Sequence, residues 1–338
     1  MNNTTYSPPA DIRVLQINAH RSPDVNYAIL HEATNLFDII FMQEPWYGQI
    51  GLDDTLVGPK AHHDWQPIPA VDPLPPNRHP RVITYVSKHR TDFTTIHRAD
   101  LALDLDIQFI ELAKPGQPPI LVGNIYNQKE SDDSNVWTFD RLHQLAPFAP
   151  NQAVTLLGDW NVHHHWWTNI VSDNRPRARE LAEWLTERDF QLLNTPGEAT
   201  FHANGRASSV IDLTFVSPAV VQANTVRDWA INPDAACGSD HHSISFVIDG
   251  GTHPIDNPFG KKYLWKKAEP QDFKKALLTS LRTHKHRLDE ILNHPSPNEA
   301  ELEWAAERVQ DCLEEAATLT VPVRRSSPHA KGWWTPHL

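Results

Sequence analysis

The pattern of apolar and polar positions changes near residue 250. Before that point, short apolar or alternating runs typical of β-strands lie at 11–18, 37–42, 82–86, 105–112, 120–126, 154–158, 210–216 and 244–248. Helical spacing between these runs predicts helices at 23–36, 137–145 and 177–188. Many strand-to-strand connections are too short for a helix. The pattern therefore predicts mixed or antiparallel sheets with helices outside them, an α/β (α+β) fold.

The domain organisation follows from composition and spacing. Residues 47–80 are rich in proline, which predicts an irregular loop region inside the first domain. The spacing is helical from Pro270 onward, and residues 298–318 have an apolar face. We predict four regions in chain order: a disordered N-terminus at 1–10, the main domain at 11–249, a linker at 250–269, and a helical extension at 270–338.

Charge and cysteine content limit the function classes. The formal net charge of −12 argues against broad, nonspecific nucleic-acid binding, although a bound metal supplies positive charge that residue counts miss. Only two cysteines, Cys237 and Cys312, occur in 338 residues, which favours a reducing compartment over a disulfide scaffold. No apolar run is long enough for a membrane span, and residues 1–10 lack signal-peptide features. We therefore expect an intracellular protein without membrane partners.

Polar clusters stand at the ends of several predicted strands. They are Gln16-Ile17-Asn18, Gln43-Glu44, Gly158-Asp159-Trp160-Asn161 and Ser239-Asp240-His241. Asp212 lies inside an apolar run, where an unpaired carboxylate would be costly, and a histidine is its natural partner. Each cluster alone has an ordinary structural explanation, such as a turn or a surface loop. Together they are difficult to explain by stability alone.

Phosphodiester hydrolysis requires the residue types that these clusters supply. A divalent cation neutralises the phosphate, and Mg²⁺ prefers one or two carboxylates, which favours Glu44 with Asn18 and Asp240 beside it.

A second requirement is a group that orients and deprotonates water, for which Asp159 and His241 are candidates. Asn161 is a neutral donor suited to phosphate oxygens. Pairing with Asp212 would fix the tautomer of His241 and favour its charged form.

These residues, in this order, resemble the endonuclease/exonuclease/phosphatase superfamily. The similarity covers roughly residues 11–249 and is greater to the endonuclease domain of LINE-type (non-LTR) retrotransposons. The segments that resemble this subgroup lie at 18–22, 43–46, 158–167 and 209–214. The resemblance implies a deoxyribonuclease I-like fold, in which two mixed β-sheets pack as a sandwich flanked by helices. The helical extension, in turn, resembles the segment that leads to a reverse transcriptase, which is absent here.

The resemblance also implies a role for each motif residue. Asn18 and Glu44 would bind the metal, with Asp240 supporting the metal site or His241. The implied catalytic residues are Tyr126, Asp159, Asn161, Asp212 and His241, with Tyr126 on the scissile phosphate. The implied substrate contacts are Arg21, His163, His164 and Ser209. Two positions depart from the pattern: His20 replaces an acid or amide, and Asn127-Gln128-Lys129 follows Tyr126.

We therefore expect a Mg²⁺-dependent endonuclease, with Mn²⁺ as an alternative metal, that nicks target DNA for retrotransposition. Its partners would be DNA and a fused reverse transcriptase, and its location would be the nucleus. Two alternatives remain open: a small-molecule or lipid phosphoesterase of the same fold, and a non-catalytic remnant of a retroelement. The adjacent Trp166 and Trp167 favour packing over substrate stacking.

Overall fold

The computed structural model divides the chain into two compact units, residues 1–256 and 257–338. The described residues are 11–50, 57–75, 78–129, 137–145, 147–149, 151–171, 173, 175–202, 208–249, 268–294 and 297–322. The predicted disordered N-terminus, most of the predicted linker and the end of the helical extension lie outside these residues.

The first unit contains β-strands and short helices. The strands are β1 (Ile12–Asn18), β2 (Ile39–Gln43), β3 (Tyr47–Gln49), β4 (Val57–Pro59), β5 (Trp65–Pro69), β6 (Val82–Ser87), β7 (Thr94–His97), β8 (Ile107–Ala113), β9 (Ile120–Tyr126), β10 (Ala153–Asp159), β11 (Gln191–Leu192), β12 (Asp212–Val216), β13 (Val226–Asn232) and β14 (Ser243–Ile248). The helices are α1 (Pro23–Glu32), α2 (Thr138–Gln144), α3 (His165–Thr168), α4 (Pro176–Glu187) and α5 (Pro218–Ala223), with a 3₁₀ turn at Pro233–Ala236.

The strands form two mixed six-stranded sheets and a separate β3–β4 hairpin. The first sheet has the order β13-β14-β1-β2-β6-β5, and the second has the order β11-β12-β10-β9-β8-β7. Each sheet has a parallel pair near its centre, β1 with β2 and β9 with β10, and antiparallel neighbours around it. The predicted fold class, two mixed sheets flanked by helices, is confirmed.

The interior of the sandwich is apolar over most of its area. Val14 and Phe41 on the first sheet share one buried cluster with Val122 and Leu157 on the second. All four side chains are fully buried, and burial of each contributes about 1.5–3 kcal/mol to folding. The near-continuous apolar runs of β1, β2, β9 and β10 follow from this position, because central strands are covered on both faces.

Helices cover the outer faces of the two sheets. On the first sheet, Ile29 of α1 packs in a cluster with Ile17 and Met42. On the second sheet, the buried cluster includes Leu181 of α4 and Leu156 of β10. The predicted spacing of α1 and α4 thus corresponds to their buried faces, although α1 ends at Glu32 and not near residue 36.

A buried polar network crosses between the sheets. Gln16 donates from Nε2 to the Gly158 carbonyl (3.2 Å), and its Oε1 accepts from the Thr214 hydroxyl (3.1 Å). Gln43 donates from Nε2 to Asn124 Oδ1 at 2.6 Å. Because buried polar groups are costly without partners, these pairs favour one alignment of the two sheets. That alignment sets where the strand ends meet.

The prediction of an irregular region at 47–80 is wrong in part. The described part of this segment includes β3, β4 and β5. β5 is an edge strand of the first sheet, and it contains Pro67 and Pro69. Proline cannot donate to a neighbouring strand, but an edge strand has one side without a neighbour and tolerates it. No local feature of the sequence indicates this edge position.

The second unit contains two helices, α6 (Pro270–Asn293) and α7 (Glu299–Thr320), in agreement with the predicted helical extension. Asn298 caps α7: its side chain accepts from the Glu301 backbone N–H, and the Glu301 carboxylate accepts from the Asn298 N–H. None of the helices among the described residues is long and apolar enough to cross a membrane.

Candidate active site

The predicted site residues meet where the central strands of the two sheets end. Asn18 ends β1 beside Gln43, the last residue of β2. In the second sheet, Asp159 at the end of β10 lies between Tyr126 on β9 and Asp212 on β12. Asn18 Nδ2 donates to Asp159 Oδ2 at 3.0 Å, which joins the two sheets at this edge.

The backbone requires glycine at position 158, directly before the last residue of β10. Its φ is +150°, and a Cβ atom built at this position would lie 1.8 Å from the Ile125 carbonyl oxygen. Only glycine fits such a close approach. Trp160 then points into the core, fully buried, and its indole N–H donates to the Leu213 carbonyl at 3.2 Å. These contacts fix the direction of the Asp159 side chain between them.

Asn161 lies in a left-handed turn rather than in a continuing strand, with φ of +51°. Its backbone N–H donates to Asp159 Oδ1 at 3.1 Å, and its side-chain Nδ2 donates to the Asn127 carbonyl at 2.8 Å. Strand alternation therefore does not extend to Asn161. The turn, not the pleat, brings its amide next to the carboxyl group.

Asp159 is an unusually placed carboxyl group. Burial, followed by the negative charge of Asp212, raises the pKa of Asp159 to about 8, although His241 and the Asn18 hydrogen bond oppose the shift. Groups with a perturbed pKa in a cleft are typical of catalytic sites.

His241 and Asp212 form a buried pair, as predicted. His241 Nδ1 lies 3.0 Å from Asp212 Oδ1 and 2.8 Å from Oδ2. Burial lowers the pKa of His241, but the charge and hydrogen bond of Asp212 outweigh it and raise the pKa to about 9. The pair thus holds the proton on Nδ1 and favours an imidazolium ion.

Glu44 is held at the neighbouring strand end with φ of +45°. Its Oε1 is 3.1 Å from Arg21 Nη2. Burial, and next the charge of Glu44, raise the pKa of Tyr126 and keep its hydroxyl protonated. The Arg81 guanidinium lies 4.7 Å from the centre of the Tyr126 ring and pairs with Asp106 at 2.6 Å.

Asp240 lies near His20, the exposed residue that departs from the family pattern. His20 Nδ1 is 3.6 Å from Asp240 Oδ1, too far for a hydrogen bond. Among the described residues, no hydrogen-bond partner faces Asp240 Oδ1, which is buried. Ser239 fixes this loop, because its hydroxyl donates to the Asn18 carbonyl (2.7 Å) and accepts the His241 backbone N–H (3.2 Å).

Two of the predicted substrate contacts lie in the histidine-rich segment after Asn161. His164 is buried and caps α3, since its Nδ1 accepts the Trp166 backbone N–H at 3.3 Å. Its ring stands 5.1 Å from that of Trp167, which is fully buried, in agreement with the packing interpretation of the tryptophans. His163 is half-buried beside it. The geometry gives His164 a structural contact and leaves its predicted substrate contact as a hypothesis.

Ser209 lies one layer behind His241. Its backbone forms a β-bridge with Phe201, which in turn bridges to His241. The Phe201 ring lies 4.8 Å from the His241 ring. In the structure, Ser209 therefore supports the segment that packs on His241, and its predicted contact with substrate stays a prediction.

The site has the chemistry of a divalent-cation site. Glu44, Asp159, Asp212 and Asp240 bring four carboxyl groups to one edge, and Asp240 Oδ1 accepts no hydrogen bond from the described residues. Ligand atoms of Asp159, Asp212 and His241 also lie within 4.8 Å of one another. In that trio, however, His241 Nδ1 is already bonded to Asp212. Oxygen-rich Glu44 and Asp240 fit Mg²⁺ better than the trio does.

Asn127 is a site residue that the motif comparison treated only as a departure. Its N–H donates to the Asp159 carbonyl at 2.8 Å, and its Nδ2 donates to the Trp160 carbonyl at 3.0 Å. Its own carbonyl accepts from Asn161. Asn127 thus holds the Asp159–Asn161 turn. The only signal in the sequence was its position directly after a strand that ends at the site.

A cavity of about 410 Å³ is lined in part by the residues that follow Glu44 in the chain. Its lining is cationic and aromatic, and includes Arg21, Trp46, Tyr47, Arg78, His79 and Arg81. The rings of Tyr47 and His79 are stacked at 5.7 Å. Asp106 also lines the cavity, and two of the three arginines are ion-paired, Arg21 with Glu44 and Arg81 with Asp106.

Comparison with known proteins agrees with this geometry. Residues 120–245 match the model of the endonuclease-reverse transcriptase family. The resemblance inferred from the motifs is confirmed. No curated protein matches the chain significantly.

Solved structures share the fold. The endonuclease domain of TRAS1, a telomere-specific non-LTR retrotransposon, has a TM-score of 0.55 and 19% identity, with 71% of this chain and 99% of that chain covered. The AP endonuclease LMAP from Leishmania major has a TM-score of 0.54 and 15% identity, with 75% and 91% covered. At these identities the likeness establishes the architecture of the sandwich.

Proposed function

We propose that this protein is a metal-dependent phosphodiesterase, and specifically a DNA endonuclease that nicks target DNA for retrotransposition. The observation that supports it most directly is the convergence of Glu44, Asp159 and the His241–Asp212 pair at one edge of the sandwich. This set supplies a cation site, a proton acceptor and a positive group within one cleft. Stability alone does not require such a concentration of charge.

Asp159 would orient and deprotonate the attacking water. Its two oxygens are held by Asn18 and by the Asn161 backbone, so the carboxyl group has a fixed direction. A pKa near the operating pH suits a general base. Asn161 keeps one side-chain N–H beyond its bond to Asn127, and this donor would stabilise negative charge on a phosphate oxygen.

His241 would bind the phosphate as an imidazolium ion through Nε2, because Nδ1 is committed to Asp212. The protonated hydroxyl of Tyr126 would donate to a phosphate oxygen from the other side of the cleft. A divalent cation held by Glu44 and Asp240, with Asn18 adjacent, would neutralise charge that develops on the phosphate. Asn18 itself acts on Asp159 through its Nδ2, and its Oδ1 accepts the His20 N–H at 2.8 Å.

A polynucleotide fits the surroundings of the site better than a small phosphate ester. The cavity after Glu44 combines arginines with the Trp46 ring, and such surfaces bind phosphates and stack on bases. The matching family model is described as endonuclease-reverse transcriptase, and the TRAS1 structure is the endonuclease domain of a non-LTR retrotransposon. We therefore infer a DNA substrate, a reverse transcriptase fused to this chain, and action in the nucleus.

Supercoiled plasmid provides the test. With Mg²⁺, we expect conversion to the nicked circle, and chelator should abolish it. Asp159→Asn should reduce the nicking rate by about 10²-fold or more, whereas Asp228→Asn, an exposed carboxylate on β13, should leave it unchanged. Absence of nicking together with phosphate release from an inositol phosphate would reject the endonuclease in favour of a small-molecule phosphoesterase. Absence of both activities would favour a non-catalytic remnant.

Glu44→Gln separates metal binding from folding. The amide is isosteric, so the melting temperature should change little while the Mg²⁺ concentration for half-maximal nicking rises. In a parallel titration, the Mn²⁺ concentration for half-maximal nicking should rise as well. A variant that melts early but retains the wild-type Mg²⁺ titration would identify Glu44 as structural.

A further inference from the structure

A second cluster of potential metal ligands lies at the end of the first sheet remote from the site. β5 and β6 pair with Trp65 opposite Ser87, whereas the β6 residue nearest the active site is Val82, opposite Gln43. The turn before β5 contains His62, His63 and Asp64, and the turn after β6 contains His89. The two turns are joined by a 2.8 Å hydrogen bond from the Lys88 N–H to the Asp64 carbonyl.

Asp64 is the centre of this cluster. One carboxylate oxygen, Oδ2, is 3.0 Å from His63 Nε2 and 3.8 Å from His62 Nδ1. The other oxygen, Oδ1, is 2.8 Å from His89 Nε2. Ligand atoms around a tetrahedral Zn²⁺, with bonds of about 2.0–2.2 Å, are separated by roughly 3.3 Å. Ligand atoms of His62, His63 and Asp64 lie within 4.8 Å of one another, and the exposed ring of His89, which contacts the other carboxylate oxygen, would turn to complete the set.

His62 is the buried member of this cluster. Its side chain is 2% exposed, and among the described residues none accepts or donates at Nε2. Nδ1 has only a long hydrogen bond, 3.3 Å, from the Asp64 N–H. A buried imidazole nitrogen without a hydrogen-bond partner is costly unless a ligand satisfies it.

The remaining groups give the cluster access and support. The side chains of His63 and His89 are 78% and 58% exposed, so a cation can enter from solvent. The Thr34 hydroxyl donates to Asp64 Oδ2 at 3.3 Å, an outer hydrogen bond that orients the carboxylate. Lys88 is the nearby cation, and its Nζ is occupied by the His63 carbonyl at 3.1 Å.

We propose that this protein has a second, structural metal site, separate from the active site and built from His62, His63, Asp64 and His89. Three imidazoles and one carboxylate favour a borderline transition metal such as Zn²⁺, whereas Mg²⁺ prefers oxygen ligands. The ion would pin the turn before β5 to the turn after β6. This would fasten the proline-containing edge strand, which has a neighbour on one side only. The site does not depend on the proposed endonuclease activity.

Co²⁺ is the probe, because tetrahedral coordination gives it a visible absorption band, and the full chain is titrated. Wild type should develop the band with one equivalent at the cluster. His63→Ala/His89→Ala should weaken binding by more than about 100-fold, since loss of outer partners alone costs up to that much. His286→Ala, which removes an exposed histidine of α6, should retain the band. Asp159→Asn should also retain it, which separates this site from the active-site carboxylates.

The melting temperature provides a second measure of Zn²⁺ binding. At a hundredfold excess over Kd, wild type should melt roughly 5–10 °C higher, and the double variant should not respond. Without metal, both proteins should melt alike, because the two substituted rings are largely exposed. If the double variant fails to fold, His63→Gln alone serves as the test. An unchanged Co²⁺ band in the folded variant, or no tetrahedral band in wild type, would overturn the proposal and leave only Asp–His ion pairs.

Discussion

Replacing Asp212 with Asn tests the electrostatic basis of the site, because the substitution removes a charge and keeps the shape. The carboxylate raises the pKa of His241 to about 9, from an ordinary value of 6.5. This difference corresponds to roughly 3.4 kcal/mol in favour of the imidazolium form. Burial alone lowers this pKa, and the smaller contributions of Asp159 and Asp240 remain. We therefore expect a fall of at least about 2 pKa units in the metal-free variant.

The measurement is an NMR titration of the histidine rings in metal-free protein, with His241 assigned by substitution. In wild type the ring should stay protonated until the pH rises through about 9. In Asp212→Asn it should lose its proton near or below neutrality. Asp228→Asn, the exposed control, should leave the His241 titration unchanged.

Activity should follow the same titration if the imidazolium ion binds phosphate. Nicking by Asp212→Asn should decline between pH 6 and 8, a range over which His241 in wild type stays charged. A ring in the variant that still titrates near 9 would refute the role of Asp212 as the source of the shift. Parallel pH–rate profiles for the two proteins would refute the requirement for a charged His241.

Two further predictions concern stability. Gly158→Ala should cost about 3 kcal/mol or more in urea unfolding, because the new Cβ would lie 1.8 Å from the Ile125 carbonyl oxygen; a loss below 1 kcal/mol would contradict the close approach. Asp38→Asn should cost about 2 kcal/mol, because buried Asp38 pairs with Arg13 and Arg90, each at 2.8 Å. Burial raises the pKa of Asp38, but bonds from Arg13 outweigh it and lower the pKa below 3.8. Its contribution is therefore present above pH 3.8 and lost as the pH falls through the lower folded value, and only wild type should show this loss in acid unfolding.

Local sequence was sufficient for much of the sandwich. The apolar runs of β1, β9 and β10 are long and continuous, and buried central strands have this pattern wherever they occur. The edge strand β5 was missed, because its prolines are acceptable only where no neighbour requires an N–H, and pairing is a property of the whole sheet. β13, with alternating but mostly half-exposed positions, was missed as well.

The candidate site shows the same division. Asp159 and Asn161 were recognisable because they follow an apolar strand and a glycine. Strand alternation does not account for their proximity, since the strand ends at Asp159 and a left-handed turn places Asn161. Asn127 was missed, because its three hydrogen bonds with the Asp159–Asn161 turn are to residues more than 30 positions away.

The sequence by itself determined which residue types stand at the strand ends, and therefore the family resemblance and the candidate chemistry. The tertiary structure alone decided which of them touch: Asn18 and Asp159 are 141 positions apart, and Asp212 and His241 are 29 apart. It also brought the His62-His63-Asp64 turn to His89 at the far end of the same sheet. The physical reason is that strand identity is a local property, whereas the pairing order of strands sets charge, burial and pKa at the points where distant strands end.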